Sequence, residues 1–355
     1  MRRSVLLLLF GIVSVVMLLV SGCNEVPSAL ENIPIVSDIS DLGMVGSYTT
    51  VSLDDTIPVS YVKKIAICDS LLLVLTPEGL NCYGLDGEFR YQISQAGRAA
   101  NEWLGLSTFF LSNDGTTICL VDGVSDKLLW YDIWGNFHSS CCAKPGELMN
   151  VNDAAEMPDG RIVFSKNIFN SDRCVLSFYT KDMKDCRDLL EAKFSSYNTS
   201  MPTGKHPFSL FNGNLLTVLP FSTEVLQFDG TEMTSCFKIP LSGRKLQDRK
   251  ISQIRDYSIF KSFEMKNQGF FVGYTSIYET ESYYILTYYN MEYLIVDKTS
   301  GVPVLFKPEL GPLSENVQSF YDIVFTDDRR IVSFDSMRYD GKVSLIIFSL
   351  VTRAS

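Results

Sequence analysis

Two histidines, His138 and His206, are the residues of this chain best suited to acid–base or metal chemistry. An imidazole titrates near neutral pH and is a common metal ligand, but both uses need partner residues at defined spacings. The sequence contains no His-Glu-x-x-His metal motif, no Gly-x-Ser-x-Gly nucleophile motif and no phosphate-binding Gly-Lys-Ser/Thr loop. We therefore expect both histidines to be structural, and we expect no metal and no cofactor.

Pairs of neighbouring carboxylates are the second possible source of catalysis. Asp54 with Asp55 and Asp327 with Asp328 are such pairs, and both fall at predicted turns. An aspartate in a turn usually accepts hydrogen bonds from its own backbone. The sequence also has no Asp-x-Asp-x-Asp-Gly loop of the kind that binds calcium. The spacing of these carboxylates thus favours turn formation over catalysis.

The first residues of the chain are typical of an export signal. Arg2 and Arg3 precede an apolar run over residues 5–20, which is shorter than the roughly 20 residues that a transmembrane helix needs. The run ends in Leu-Val-Ser-Gly-Cys, which resembles the lipobox of bacterial lipoproteins. The resemblance implies cleavage before Cys23 and lipidation of its thiol, so that lipid holds the protein on a membrane. An ordinary signal peptide and a retained membrane anchor are the two alternatives.

Residues 1–22 are thus predicted to be a lipoprotein signal peptide, residues 23–47 a polar tether and residues 48–355 the folded domain. Asn24 is not the aspartate that resembles an inner-membrane retention signal, so the outer membrane is the expected location, on its periplasmic or its surface side. The formal net charge of −10 argues against a nucleic-acid partner, which requires clustered Lys and Arg. The other cysteines lie mostly in apolar runs, where we expect buried thiols.

Short apolar runs separated by turn residues recur along the rest of the chain, which indicates an all-β fold. In the first two units a strand is followed by Gly, a polar residue and Phe, at residues 87–89 and 135–137. Six such units recur about every 40 to 50 residues, a period typical of a β-propeller. The one longer gap corresponds to an insertion at residues 241–268. We predict six blades of four antiparallel strands, with five or seven blades as alternatives.

The ends of the chain predict how the ring closes. The sixth unit stops after three strands near Leu350, whereas residues 48–53 form a strand with nothing local to pair with. Exposed sheet edges are liable to pair with other chains, so a ring must hide them. We therefore expect residues 48–53 to be the fourth strand of the last blade.

The pattern of these units resembles the six-bladed, NHL-like β-propeller lipoproteins of bacteria, whose functions are mostly unassigned. The resemblance covers about residues 51–350. It rests on the Asp-Gly turns and on strands that end in an aromatic residue and Asp, at residues 131–132 and 228–229. Residues 145–148 keep most of the Gly-Pro-Gly-Glu-aromatic element that this family shows between blades. Such a resemblance implies the fold, but it implies little about function.

Propeller topology divides the connections between two faces of the disc. Links between second and third strands, and links between blades, are long and share one face, which we call the long-loop face. The other links are short and form the short-turn face. Functional residues concentrate on loops held by a rigid scaffold, so we expect a ligand on the long-loop face. The candidate residues on it are Trp103, Lys144, His206, Arg244, Lys245, Arg249, Lys250 and Arg255.

These patterns together predict a lipid-anchored, non-enzymatic binding protein of the bacterial cell envelope, whose partner is a protein, a peptide or a glycan. The alternative is a carbohydrate-active hydrolase or lyase with its site at the central channel. A mainly structural envelope component is a third possibility. Carboxylates or histidines that converge at the channel would favour the enzyme, and a contiguous aromatic or basic patch would favour binding.

Overall fold

The computed structural model of the chain describes residues 33–37, 39–59, 61–166, 174–191, 206–219, 222, 224–238, 244–245, 270–271, 274–288, 292–307, 322–325, 330–334 and 343–350. Six antiparallel four-stranded arrangements follow one another along the chain, as the sequence predicted. Across these ranges, no helix has the length and apolar character needed to cross a bilayer.

Blades 1 to 3 are each formed by four consecutive strands. The strands of blade 1 are Lys64–Cys68, Leu71–Thr76, Gly79–Gly84 and Phe89–Ile93. Those of blade 2 are Leu106–Leu111, Thr117–Asp122, Lys127–Asp132 and Phe137–Cys142. Those of blade 3 are Val151–Glu156, Ile162–Lys166, Cys174–Tyr179 and Cys186–Glu191.

Blades 4 and 5 also run in chain order, whereas blade 6 takes its last strand from the beginning of the chain. The strands of blade 4 are Phe208–Phe211, Asn214–Val218, Glu224–Phe228 and Met233–Lys238. Those of blade 5 are Tyr274–Glu279, Tyr283–Tyr288, Tyr293–Asp297 and Pro303–Phe306. Those of blade 6 are Asp322–Phe325, Arg330–Phe334, Ser344–Leu350 and Val45–Ser52.

The burial of the strands shows which edge of each blade faces the rim. Leu71–Thr76, a second strand, is a nearly continuous apolar run and is almost completely buried. Phe137–Cys142 and Cys186–Glu191, which are fourth strands, have no buried residue. The fourth strands therefore form the outer rim, and the first strands surround the axis of the ring.

Apolar side chains hold the blades together and close the ring. Separate buried clusters join each blade to the next one, including blade 6 to blade 1. In the last of these contacts, Val51 and Leu345 of blade 6 pack with Ile65 and Val74 of blade 1. Because burial of apolar area is the main stabilising force, each blade depends on both of its neighbours.

The early strand closes the last blade as predicted. Val45–Ser52 pairs antiparallel with Ser344–Leu350, and Thr49 lies opposite Ile347. The strand begins three residues earlier than the predicted residue 48. Gly87 in the neighbouring Asp-Gly turn has φ of 87°, and a Cβ atom there would collide with the carbonyl oxygen of Ser52. Glycine is required at this point both for its backbone angle and for its small size.

Part of the predicted tether is folded. Ile35–Val36 pairs in parallel with the outer strand of blade 5, and a short 3-10 helix follows at Ile39–Leu42. Ile33 and Met44 are buried in apolar clusters of the ring. The part of the predicted tether that the structure describes is therefore packed against the ring.

The cysteines whose side chains the structure describes are free thiols, but they differ in burial. Cys82 and Cys119 are buried, as the sequence predicted, and burial raises the pKa of the Cys119 thiol. Cys142 and Cys186 are exposed because they lie on outer strands. Position within the blade, rather than residue type, decides which thiols reach solvent.

Candidate functional site

The structure places the predicted binding residues in different environments. Lys144 lies on the long-loop face with 72% of its side chain exposed, and its Nζ is 3.8 Å from Oε1 of Glu147. The backbone of Arg244–Lys245 forms a two-residue strand parallel to Phe270–Phe271. The remaining basic candidates and the lipidation residue lie outside the described part of the chain, namely Arg249, Lys250, Arg255 and Cys23.

The prediction that Trp103 lies on the binding face is wrong, because Trp103 is a core residue. Only 5% of it is exposed, and it packs in the apolar cluster between blades 1 and 2. Leu148 does the same between blades 2 and 3, where it is completely buried. Both residues follow a glutamate in a link between blades. Trp103 and Leu148, which occupy the last position of the predicted inter-blade element, are therefore packed in the contact between two blades.

Acidic residues brace these inter-blade links. Asp126 accepts hydrogen bonds from the backbone nitrogens of Gly146 and Leu148, at 2.7 and 2.8 Å. Glu102 accepts one from Ala99 at 2.8 Å in the preceding link. The Nζ of Lys127 donates to the carbonyl oxygens at both ends of that same segment. The loops of blades 1 to 3 are thus held in defined conformations on the long-loop face.

Three aliphatic side chains stand out from this braced surface. Leu104, Val124 and Met149 are 42%, 66% and 57% exposed, respectively. A Cβ atom at Gly105 would lie 2.5 Å from Cγ2 of Val124, and one at Gly123 would lie 3.0 Å from the carbonyl oxygen of Leu148, so the three links that carry these residues are in contact. We call Leu104, Val124 and Met149 the long-loop patch. Exposed apolar groups that lie together often mark interaction sites.

A charged cluster crosses the axis of the ring at the same face. Lys64 is the first residue of blade 1 and Asp153 lies near the start of blade 3. Lys64 Nζ is nevertheless 2.5 Å from Asp153 Oδ1, with blade 2 between them in the chain. The contact passes near the buried ring of Phe109 in blade 2, whose centroid is 5.5 Å from that Nζ. Only side chains that point into the channel can meet in this way.

His206 completes this axial cluster from the link before blade 4. Its Nδ1 is 3.0 Å from Asp153 Oδ2, and its backbone carbonyl accepts a hydrogen bond from Ile277 of blade 5 at 3.1 Å. The ring of Tyr278 lies 5.3 Å away, centroid to centroid. No hydrogen-bond partner for the buried Nε2 atom is found in the described ranges. The predicted candidate His206 is therefore at the channel, but it is buried.

The electrostatics of the cluster keep Asp153 ionised. Burial alone would raise the pKa of this carboxyl, but the positive charge of Lys64, the contact with His206 and their hydrogen bonds outweigh it and lower the pKa. Asp153 also accepts the backbone N–H of Ala154 at 2.9 Å. A carboxylate held in this way orients its partners and is a poor proton donor.

The sequence named His206 and Lys144 only as candidates, and it gave no sign of the groups that surround them. Lys64 and Asp153 are 89 residues apart in the chain, so no local spacing connects them. The long-loop patch did leave a signal, because Val124 is a β-branched apolar residue in a turn between two strands. Such turns usually carry polar residues, Gly or Pro.

Two solved structures from Bacteroides species have a similar fold. A protein of Bacteroides fragilis NCTC 9343 described as exported is 16% identical, with a TM-score of 0.70 over 90% of this chain and 99% of its own. A member of the DUF4221 family from Bacteroides vulgatus is 9% identical, with a TM-score of 0.57 over 87% and 98% of the two chains. At these identities the likeness concerns the fold alone.

Comparison with proteins of curated description gives no match. A family model does match, and it extends over residues 46–339. This range begins in the strand that closes blade 6 and ends in blade 6 itself, so it includes the axial cluster and the long-loop patch. The chain therefore belongs to the family described as a domain of unknown function, DUF4934.

Proposed function

We propose that this protein is an exported, lipid-anchored β-propeller of the bacterial cell envelope that binds a protein or peptide on its long-loop face and has no catalytic role. The observation that carries the binding role is the long-loop patch of Leu104, Val124 and Met149. These residues lie on braced links, so little conformational entropy is lost when a partner covers them.

The chemistry of the patch favours a protein partner over a glycan. Sugars bind mainly to aromatic rings and polar groups, whereas the patch is aliphatic. Burying it would contribute about 25 cal/mol for each Å² of apolar surface. Lys144 is in the same link as Met149 and places an exposed ammonium group on this face, 3.8 Å from Oε1 of Glu147. An apolar protein surface is the one that would complement the patch.

Photo-crosslinking in the native host tests this role. A crosslinking amino acid in place of Lys144 should give a discrete adduct, and the triple variant Leu104→Ser, Val124→Ser, Met149→Ser should remove it. Trp134 is exposed on the short-turn face, so a crosslinker placed there is the matched control and should give no such adduct. An adduct that survives the triple variant would refute the assignment of the patch. An adduct with a glycan would mean that the partner is a glycan and not a protein.

The lipid anchor is supported by the lipobox-like residues before Cys23, and the structurally similar Bacteroides fragilis protein is described as exported. Each buried CH₂ of a lipid chain contributes about 0.8 kcal/mol to membrane affinity, and two or more chains give stable attachment. The wild-type protein should enter the detergent phase in Triton X-114 partition. The variant Cys23→Ser should lose lipid labelling, and labelled Cys23→Ser protein would contradict the anchor.

One observation favours a second candidate, an enzyme with its site at the channel. Asp153 holds Nδ1 of His206, and the Nε2 atom on the opposite side of the ring is buried. A carboxylate that orients an imidazole is the arrangement of a general base. Polysaccharides incubated with the purified protein would then release reducing ends or unsaturated products, and His206→Gln would stop this. Equal release by both proteins would exclude the axial cluster as the catalytic site.

A further inference from the structure

A groove of about 620 Å³ lies between blades 2 and 3, on the short-turn face. Its walls come from the first turn and the outer strand of blade 2, and from the end of the first strand and the last turn of blade 3. It is thus on the opposite side of the disc from the long-loop patch. The residues that matter below are Asp114, Thr117, Trp130, Glu156, Lys181 and Asp182.

Glu156 forms part of the groove wall, although only 6% of it is exposed. One carboxylate oxygen, Oε1, is 2.5 Å from Nζ of Lys181. The other oxygen, Oε2, is buried and has no hydrogen-bond partner among the residues that the structure describes. A buried carboxylate oxygen without a donor is costly, so this atom is an unused acceptor at the groove.

Blade 5 contains the same arrangement with the acceptor satisfied. Glu279 is the last residue of its first strand, as Glu156 is in blade 3. Its Oε1 is 2.7 Å from Nζ of Lys298, which follows the third strand as Lys181 does in blade 3. Its Oε2 accepts a hydrogen bond from Nδ2 of Asn214 in the preceding blade at 2.7 Å. The repeat therefore shows what fills this position in the same protein, namely an N–H donor.

The preceding blade explains the difference between the two sites. Asn214 is the first residue of the second strand in blade 4, and Thr117 has that place in blade 2. Gln227, which donates to Asn214 at 2.6 Å, is replaced in the same row by Trp130. The threonine side chain is shorter and has no amide group. The space that a protein amide occupies beside Glu279 is thus part of an open groove beside Glu156.

The charges around the groove indicate which donor fits. Asp114, Glu156 and Asp182 supply three carboxylates, whereas Lys181 and Lys184, the latter 2.8 Å from Asp182, supply two ammonium groups, so the carboxylates are in excess by one. Hydrogen bonds in their own turns, led by those from side chains, lower the pKa of Asp114 and of Asp182 to about 2, so both are ionised at neutral pH. The ring of Trp130 adds an aromatic wall to this negative groove. A positive donor is favoured over a neutral one in such surroundings.

We infer that the groove between blades 2 and 3 is a binding site for a guanidinium or ammonium group, whose N–H donates to Oε2 of Glu156. The ligand occupies the place that the Asn214 amide holds beside Glu279. Entry requires the side chain of Lys181 to shift, and half of that side chain is exposed. This site is independent of the long-loop face and of the function proposed for it.

Isothermal titration calorimetry with the mature protein tests the inference. The probe is Nα-acetyl-L-argininamide, and its uncharged isostere Nα-acetyl-L-citrullinamide is the matched ligand control. The arginine compound should bind at least about tenfold more tightly, because only its donor carries a positive charge that the carboxylates of the groove attract. Agmatine, as a third probe, distinguishes a free cation from a peptide side chain as the ligand. Tighter binding of agmatine than of the arginine compound indicates a free cation, and the reverse indicates a peptide side chain. Equal binding of the arginine and citrulline compounds would overturn the inference.

Variants of the equivalent glutamates locate the site. Glu156→Gln should lower the affinity for the arginine probe by about tenfold or more, whereas Glu279→Gln should leave it unchanged. Because Glu156→Gln also removes the partner of Lys181, a second variant is needed. Thr117→Asn places an amide where blade 4 has one, so it should block binding and leave the melting temperature equal or higher. Unchanged affinity in a folded Thr117→Asn protein would refute the site.

Discussion

The variant Asp153→Asn provides a direct test of the axial cluster. It keeps the shape of the side chain but removes the charge that holds Lys64, whose Nζ is 2.5 Å from Oδ1 of Asp153. Both side chains are largely buried, so the ammonium group of Lys64 would lose the one ion pair that it forms with the residues the structure describes. Removing one partner of a buried ion pair costs about 3 to 5 kcal/mol. The exposed pair of Lys144 with Glu147, at 3.8 Å, should contribute only about 0 to 1 kcal/mol.

Urea unfolding at pH 7 measures these free energies. Wild type, Asp153→Asn, Lys64→Met and the double variant form one thermodynamic cycle, and Lys144→Met is the exposed control. We expect each axial single variant to lower the free energy of unfolding by about 3 kcal/mol or more. The double variant should cost less than the sum of the two, by about 1 kcal/mol or more, because neither charge is then left alone.

Two results would refute this reasoning. One is a loss of less than about 1 kcal/mol in Asp153→Asn, which is the size expected of a solvated pair. The other is additivity of the two single variants, since residues in direct contact should be energetically coupled. Either result would mean that the axial cluster does not hold blades 1 and 3 together.

Three further measurements address the ring and its faces. The lowered pKa of Asp153 means that its contribution to stability is present above about pH 4 and is lost as the pH falls through its folded-state pKa. The stability difference between wild type and Asp153→Asn should therefore shrink below about pH 4 in acid unfolding curves, and a constant difference would contradict the assignment. Val51→Asp buries an unpaired charge between blades 6 and 1 and should cost about 3 kcal/mol or more, whereas the exposed Thr49→Asp on the same strand should change stability by only about 0.5 kcal/mol. Equal effects in thermal melts would argue against closure by this strand. Trp103→Ala should cost about 3 to 5 kcal/mol in urea unfolding because it leaves a cavity between blades 1 and 2, and the folded variant should still form the adduct of the long-loop face.

Much of the ring was predictable because it is encoded locally. Turns such as the one at Gly87, with φ of 87°, need a residue type that the sequence shows directly. Buried strands such as Leu71–Thr76 are visible as apolar runs. Closure by Val45–Ser52 was also predictable. The last blade lacked one strand and the early strand had no local partner, so pairing the two completes both. The folded residues before that strand had no such signal, because Ile35–Val36 is only two residues long.

The candidate sites were less predictable because they depend on contacts between blades. Trp103 was predicted to be a binding residue, since an aromatic side chain in a loop is often exposed. Only the tertiary structure shows that it packs in the core between blades 1 and 2. Lys64 and Asp153 give no hint of each other along the chain. Glu156 and Glu279 have the same place in their blades, and the difference between them lies in the residue that the preceding blade supplies.

The amino-acid order of this protein was sufficient for its six repeats and for the strand that closes them, because each follows from residues adjacent in the chain or from the count of strands. The tertiary structure decided which charged groups meet at the axis, which apolar groups remain in solvent and which carboxylate lacks a donor. The physical reason is that the ring brings together side chains from blades that are far apart in sequence. Their burial and their partners are properties of that arrangement and not of any local pattern.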